Sequence, residues 1–354
     1  MNVLSLFDGM SCGQQALERA GIKVDNYFAS EIDKYAIQVT MANYPNTKQL
    51  GSVVNVDGYS LPKIDLLIGG SPCQSFSFAG KRKGMSTKNE QEILTLEHYL
   101  ELKQEGFEFE GQSYLFWEYM RLLNEVKPKY FLLENVMMGE RWEKVLSKAI
   151  GVKAIMINSA LISAQNRQRL YWTNIGLEPQ GLFGYLESII EQPIDKGILL
   201  KDILEENVSD KYFLSDKIKN GFEKHAIRHE DKGTGFAWNP TIGDKKGTCL
   251  RANGALAATD NMIIVKDEEI LGGDFRYDEG YRWREGGKSG TLCTNADSFA
   301  KINSQIRRLT PVKCERLQTV KDNYTAHVSD SQRYKMLGNG WTVDVIVHIL
   351  SYLK

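Results

Sequence analysis

Cys73 stands in the run Gly-Gly-Ser-Pro-Cys-Gln-Ser (69–75), directly after the apolar stretch IDLLI (64–68). A packing cysteine belongs inside a strand. This one follows it, behind a proline that fixes its own backbone and biases Ser71 toward an extended conformation. A thiol held at a strand mouth is placed to act as a thiolate nucleophile. Taken alone, a small buried thiol near a strand end is the simpler reading, so neighbouring groups must decide.

Candidate partners occur at the ends of other apolar runs. Glu134 and Asn135 close KYFLLENV (129–136), and Glu31 follows VDNYFAS (24–30). In open α/β sheets, polar groups at the carboxyl ends of strands line the ligand crevice. FDGMSCG (7–13) links a strand to a helix, and Gly9 and Gly13 would let backbone approach a ligand at the helix start. Glu31 lies about 20 residues on, where an acid can bind ribose hydroxyls. A bland tight turn is an equal competitor for that loop. QNRQR (165–169) sets Arg167 and Arg169 two apart, on one face if the segment is a strand, and Gly338-Asn339-Gly340 precedes a helical pattern.

The elements that must position these groups alternate. Apolar strand patterns at 3–7, 24–30, 64–68, 129–136, 152–158 and 169–175 are interleaved with helical patterns at 14–20, 36–42 and 114–126. This order predicts βαβ units in an α/β, mostly parallel, helix-covered sheet. The polar stretch between Cys73 and Tyr114 reads as a loop followed by a helix. From about 177 to 305 the chain turns rich in Gly, Asn and Asp, with two similar segments, KKGTCLRANGALA (245–257) and KSGTLCTNADSFA (288–300). These are expected to form two strand-turn units of a smaller β-rich domain. Val343, Ile346, Val347, Leu350 and Leu353 predict a helix within 332–353 that packs back on the first part.

With 354 residues, 42% hydrophobic and 25% charged, the chain can hold two domains of ordinary globular composition. A net charge of -1 excludes a basic coat, so any polyanion site must be a local patch. Lys81-Arg82-Lys83, and Arg307-Arg308 with Lys313, Arg316 and Lys321, are the candidates. No apolar run approaches ~18 residues, and no charged leader precedes the first strand, so a cytoplasmic protein is expected, with no membrane partner. Cys12, Cys73, Cys249, Cys293 and Cys314 form no C-x-x-C pair, which argues for free thiols and no metal site.

With the motifs assembled, the chain resembles the cytosine-C5 DNA methyltransferases that use S-adenosylmethionine. FDGMSCG, SEID, GGSPCQSFS, LLENV, QNRQRLYW, RRLTPVKCERLQTV and RYKMLGNGWTV occur in the family's order. The resemblance implies a Rossmann-like class I methyltransferase sheet in residues 1–176 and a smaller β-rich target-recognition domain in 177–306. A return segment, 307–354, would carry a C-terminal helix onto the first domain. Cys73 would add to C6 of a cytosine flipped out of double-stranded DNA, which makes C5 nucleophilic. Glu134 would hold or protonate N3, while Arg169, helped by Arg167, would bind the O2 edge and hold the carboxylate.

For the cofactor, the resemblance implies Phe7 on the adenine, with Asp8, Gly9, Met10, Ser11 and Gly13 around it, Glu31 on the ribose and Ile32 against the base. Ser52 and Val53 would lie near the adenine amine, Ser71 and Pro72 beside the methyl donor, and Leu115 with Asn339, Gly340 and Trp341 would complete the pocket. Gln74, Ser75, Ser77, Lys81, Arg82 and Lys83 would belong to a loop closing over the duplex. Two residues depart from the family pattern: Ser11 replaces a frequent glycine, and Ser52 a frequent Asp. The implied setting is a monomer in a bacterial cell or phage-infected host, where a cognate restriction endonuclease can be a partner. A tRNA-methylating branch is the rival, and the long 177–305 segment favours DNA. A catalytically silent DNA-binding member would lack Cys73, Glu134 and Arg169.

Overall fold

The computed structural model describes all residues except 73–91, 110, 111, 113, 182, 183, 231–237, 239, 253–259, 277–279 and 285–297. At 225, 228–230, 266–276, 280–284 and 298–304 it describes the backbone alone.

A seven-stranded sheet forms the frame. Its strands are β1 (Asn2–Leu6), β2 (Asn26–Ser30), β3 (Lys48–Gln49), β4 (Leu66–Gly70), β5 (Tyr130–Val136), β6 (Ile155–Asn158) and β7 (Gln168–Thr173), in the order β3-β2-β1-β4-β5-β7-β6. The first five in that order run parallel, and β7 is antiparallel to both β5 and β6. The order reverses between β1 and β4, which opens a crevice at their carboxyl ends.

Side chains alternate across the pleat, so each strand feeds two cores. Val3, Leu66, Ile68 and Leu132 pack with α1 (Cys12–Arg19), α2 (Lys34–Asn43) and a C-terminal helix. Leu4, Leu6, Leu67 and Leu133 face α3 (Leu96–Gln104), α4 (Leu115–Val126) and α5 (Glu140–Ile150). Helix α4 stops where Lys127 turns left-handed, at φ 43°, before Pro128, which keeps its predecessor out of the helical region. Glu118, fully buried on α4, receives Tyr99 Oη and Lys103 Nζ of α3 at 2.5 Å each, with Arg121 Nε at 2.7 Å. That network pins the inserted helix α3 to α4.

Beyond β7 lie the hairpin β8 (Leu177–Gln180) and β9 (Tyr185–Ser188), then a helix, α6 (Asp216–Glu230). A three-stranded antiparallel sheet follows, with β10 (Met262–Arg276) between β11 (Gly280–Arg284) and β12 (Ser298–Arg308). Helix α6 was not expected in a segment read as β-rich. Of the echo segments, 245–252 runs without a named strand, and 253–257 with most of the second echo lie outside the described residues.

The return segment holds α7 (Pro311–Leu317), α8 (Asp330–Asn339) and α9 (Val343–Leu350). The helix expected after the Gly338-Asn339-Gly340 run is α9, and the chain breaks before it at Gly340–Thr342, where Gly338 and Asn339 close α8. Val343, Ile346 and Leu350 bury against the sheet, and Arg19 on α1 pairs with Asp344 on α9 at 2.7 Å. No helix among the described residues is long and apolar enough to cross a membrane.

Candidate active site

The β1–α1 loop turns tightly. Phe7 (φ 57°), Gly9 (φ 57°) and Ser11 (φ 60°) are all left-handed, a costly geometry for the two non-glycines. Hydrogen bonds hold it: Asp8 accepts from Tyr27 Oη at 2.7 Å and from Ser11 Oγ, and Ser11 Oγ also receives Gln14 Nε2 at 3.0 Å. Burial pushes the Asp8 carboxyl up to about 6; the hydroxyls of Ser11, Ser5 and Tyr27 pull the other way, and nearby Glu31 adds to the rise.

Glu31 sits beyond β2 as an anchor for three backbone amides. Gly9 N–H donates to its Oε2 at 2.7 Å, and Ile32 and Asp33 N–H donate to its Oε1 at 2.7 and 2.8 Å. Beside it, Ile32 is 72% exposed, an apolar side chain offered to a partner. The two glycines of the loop differ in use. Nothing lies within 4 Å of where a Gly9 side chain would be, so a ligand can approach its backbone. A Cβ on Gly13 would meet Ile68 Cδ1 at 2.4 Å and Tyr27 Oη at 2.8 Å, so the missing side chain seats α1 on the sheet.

Across the crevice, β4 ends at Gly70, which pairs in register with Glu134. Buried Ser71 is held by Asn135, whose Nδ2 donates to its Oγ at 3.0 Å and its carbonyl at 3.3 Å. Glu134, 8% exposed, receives Arg169 Nε on Oε1 at 3.0 Å. A Cβ on Gly70 would stand 2.8 Å from Trp341 Nε1 and 3.1 Å from Glu134 Oε2, so the absent side chain lets carboxylate and indole converge there. Burial draws the Arg169 guanidinium down, but Glu134 and Cys249 outweigh this and leave its proton held more tightly than usual.

Arg167 and Arg169 do not share a strand face, because β7 begins at Gln168. Arg167 is buried and donates Nη1 to Gly338 O at 3.3 Å and Nη2 to Gly340 O at 2.9 Å, so it clasps the turn after α8. Gln318 Nε2 adds bonds to Leu337 O and Gly340 O at 2.7 and 3.1 Å. That turn leans on the first loop: a Cβ on Gly340 would lie 2.8 Å from Met10 Cε, and Tyr324 Oη donates to Met10 O at 2.7 Å.

Several expectations need correcting. Met10 is 1% exposed and Ser11 fully buried, so a ligand would meet either through its backbone. The basic residues near the junction are no surface patch. Arg307 and Lys313 are buried, Arg316 pairs with Asp322 at 2.6 Å, and Arg308 stacks 3.9 Å from the Tyr334 ring. Cys73, Gln74, Ser75, Ser77, Lys81, Arg82 and Lys83 lie outside the described residues. Phe7 and Leu115, both half-buried, pack on the α4 side of the sheet; Val53 is buried, and Ser52 half-buried before it. Gln318, Tyr27, Tyr324 and Cys249 were missed by sequence reasoning. Cys249 sits in the first echo segment, yet nothing in its neighbours there signals that it faces two arginines.

The other described thiols are packing groups: burial pushes Cys12 and Cys314 each up to about 12. Among the described residues no cluster of His, Cys, Asp or Glu could hold a metal ion. An open backbone at Gly9, an anchored acid at Glu31 and an exposed Ile32 suit a nucleoside with ribose hydroxyls and an apolar base face.

A family model described as C-5 cytosine-specific DNA methylase matches residues 1–354. Among named relatives, the Type II methyltransferase M1.ScrFI of Lactococcus lactis subsp. cremoris is 28% identical over 337 residues, covering 92% of this chain and 70% of that protein. The orphan methyltransferase M.SPRI of Bacillus phage SPR is 28% identical, covering 100% and 97%. Among solved structures, Entamoeba histolytica methyltransferase EhMeth superposes with a TM-score of 0.64 at 15% identity, covering 100% of this chain and 97% of that one. The S. pombe Dnmt2 methyltransferase gives 0.62 at 16% identity, covering 100% and 98%.

Proposed function

The chain belongs to the C-5 cytosine-specific DNA methylase family, and from that premise we propose that it methylates carbon 5 of a cytosine flipped out of duplex DNA, through a covalent bond from Cys73 to C6. The observation that carries this reading is the Glu134–Arg169 ion pair, set at the same sheet edge as Ser71 and Pro72, two residues before Cys73. C5 of cytosine is too weak a nucleophile unaided. Addition of the Cys73 thiolate to C6 moves the ring electrons toward C5, and Glu134, held by Arg169, would hold or protonate N3 so that charge does not build on the ring. Once C5 carries the methyl group, loss of the C5 proton to a base expels the Cys73 thiolate and restores the aromatic ring.

S-adenosylmethionine, when bound, supplies the electrophilic sulfonium methyl group. Its ribose would be held by Glu31, its base by Phe7 and Ile32, and its remainder would lie along Gly9 and the turn at Asn339–Trp341. Gln74 to Lys83 would close over the duplex and contact phosphates. Family relatives named as Type II enzymes support a cognate restriction endonuclease as partner, and bacterial and phage relatives support a cytoplasmic setting.

The test is a duplex oligonucleotide carrying 5-fluorocytosine at target positions, incubated with enzyme and S-adenosylmethionine. Fluorine at C5 blocks the final elimination, so a stable adduct at Cys73 is expected, located by peptide mass spectrometry and absent in Cys73→Ser. The target motif comes from bisulfite sequencing of DNA from expressing cells. Methyl transfer to tRNA with none to DNA, or transfer with no adduct at Cys73, overturns the reading.

A further inference from the structure

Cys249 lies in the segment that follows Gly247 and precedes the second sheet, outside every strand and helix. Its Sγ receives Arg167 Nη1 at 3.2 Å and Arg169 Nη2 at 3.6 Å. Arg169 at the same time holds Glu134, and Arg167 holds the carbonyls of Gly338 and Gly340. One sulfur therefore stands behind both guanidinium groups of the site.

The position of that sulfur is set from two sides. Gly247 N–H donates to Ala164 O at 2.7 Å, Asn166 N–H to Gly247 O at 2.8 Å, and Leu250 N–H to Gln165 Oε1 at 3.3 Å. On the far side, a Cβ on Gly338 would stand 2.2 Å from the Arg251 carbonyl, so helix α8 and the segment touch backbone to backbone. Charge supplies the reason for a thiol at this point. Arg169 pairs with the site carboxylate, Glu134, whereas buried Arg167 is met by two carbonyls, and like charges so close disfavour burial unless countered. Burial pushes the Cys249 thiol up, but Arg167 and Arg169 outweigh it and hold the thiol below its ordinary value.

We propose that Cys249 is a positioning residue for the reaction: its sulfur holds Arg169 against Glu134 and, through Arg167, ties the 245–252 segment to the turn of the cofactor pocket. The proposal rests on the function assigned above to Glu134 and Arg169. It adds a route by which contacts made in the 245–252 segment reach the catalytic pair without any direct contact with the cytosine. A shift of this segment would withdraw an acceptor from both arginines at once.

Three substitutions separate the roles of the sulfur: Cys249→Ser keeps an acceptor, Cys249→Val keeps volume without one, and Cys249→Ala keeps neither. With wild type confirmed active, single-turnover methylation at saturating DNA and cofactor should fall about tenfold to a hundredfold in the Val and Ala variants and recover largely in Ser. Direct S-adenosylmethionine binding should stay within about threefold of wild type, because Arg167 keeps its two carbonyls. A cycle with Arg169→Lys should be non-additive, since both changes act on one guanidinium. A merely structural role would lower thermal stability and rate alike in Ser and Val and would add to Arg169→Lys. Wild-type turnover in Cys249→Val, or additivity in the cycle, overturns the proposal. An inactive wild type would count against the methyltransferase reading and leave a distinct signature, since no Cys73 adduct would form in any variant.

Discussion

Arg169 Nε lies 3.0 Å from Glu134 Oε1, and the pair exists because β7 runs antiparallel to β5. Glu134 is opposite Tyr171 and Val136 opposite Arg169, so the two charged residues are diagonal neighbours on one face of the pleat. A sheet edge thus positions the carboxylate, and the strand that reverses direction brings its counter-ion.

Glu134→Gln should keep the fold and cofactor affinity while slowing methyl transfer by about 10²–10⁴-fold, the range for a lost general acid. Single-turnover transfer of labelled methyl groups reads this directly. A wild-type rate would remove Glu134 from the chemistry.

Glu31→Ala should weaken S-adenosylmethionine binding by about tenfold or more, because three backbone amides lose their acceptor as well as the ribose its partner. Isothermal titration calorimetry measures it. An unchanged Kd would show that this acid only shapes the loop.

Gly338→Ala forces a methyl group into the Arg251 backbone. Overpacking of this kind costs about 1–3 kcal/mol, so Tm should fall by several degrees and DNA methylation should suffer with it. Gly139→Ala serves as control, since its position is open and its φ is -66°. Its melting curve should be nearly that of wild type, and a matching loss in both variants would refute the clash.

Asp8 gives a pH signature. Its folded value, about 6, lies above the ordinary 3.8, so the folded chain keeps a proton that the unfolded chain releases between these values. The stability this contributes is full below 3.8 and is lost as pH rises through about 6. Asp8→Asn cannot titrate. The Tm of wild type relative to Asp8→Asn should therefore drop by a few degrees between acid and neutral pH, and a constant difference would contradict it.

Much of this was legible in the residues. Short continuous apolar runs marked the core strands, and the acids and glycines closing them fell at the crevice, because a strand buried on both faces must end where polar groups begin. Strand direction was not legible: nothing in RLYWTNI says that it runs against its neighbours. Gly9 and Gly13 look alike in sequence, yet one faces open space and the other Ile68. Arg307 and Lys313 read as surface charge but are buried, since composition does not reveal which side of a helix or strand meets the protein. Arg167 binds carbonyls more than 170 residues away, a separation that local pattern cannot bridge.

The floor under Gly9 is laid by the other end of the polypeptide, through Tyr324 on the Met10 carbonyl and Gly340 on the Met10 side chain. A ribosome releases the first loop roughly 300 residues before those supports, at about 5–20 residues per second. Until those supports are made the loop lacks its floor, so the pocket is finished only with the return segment.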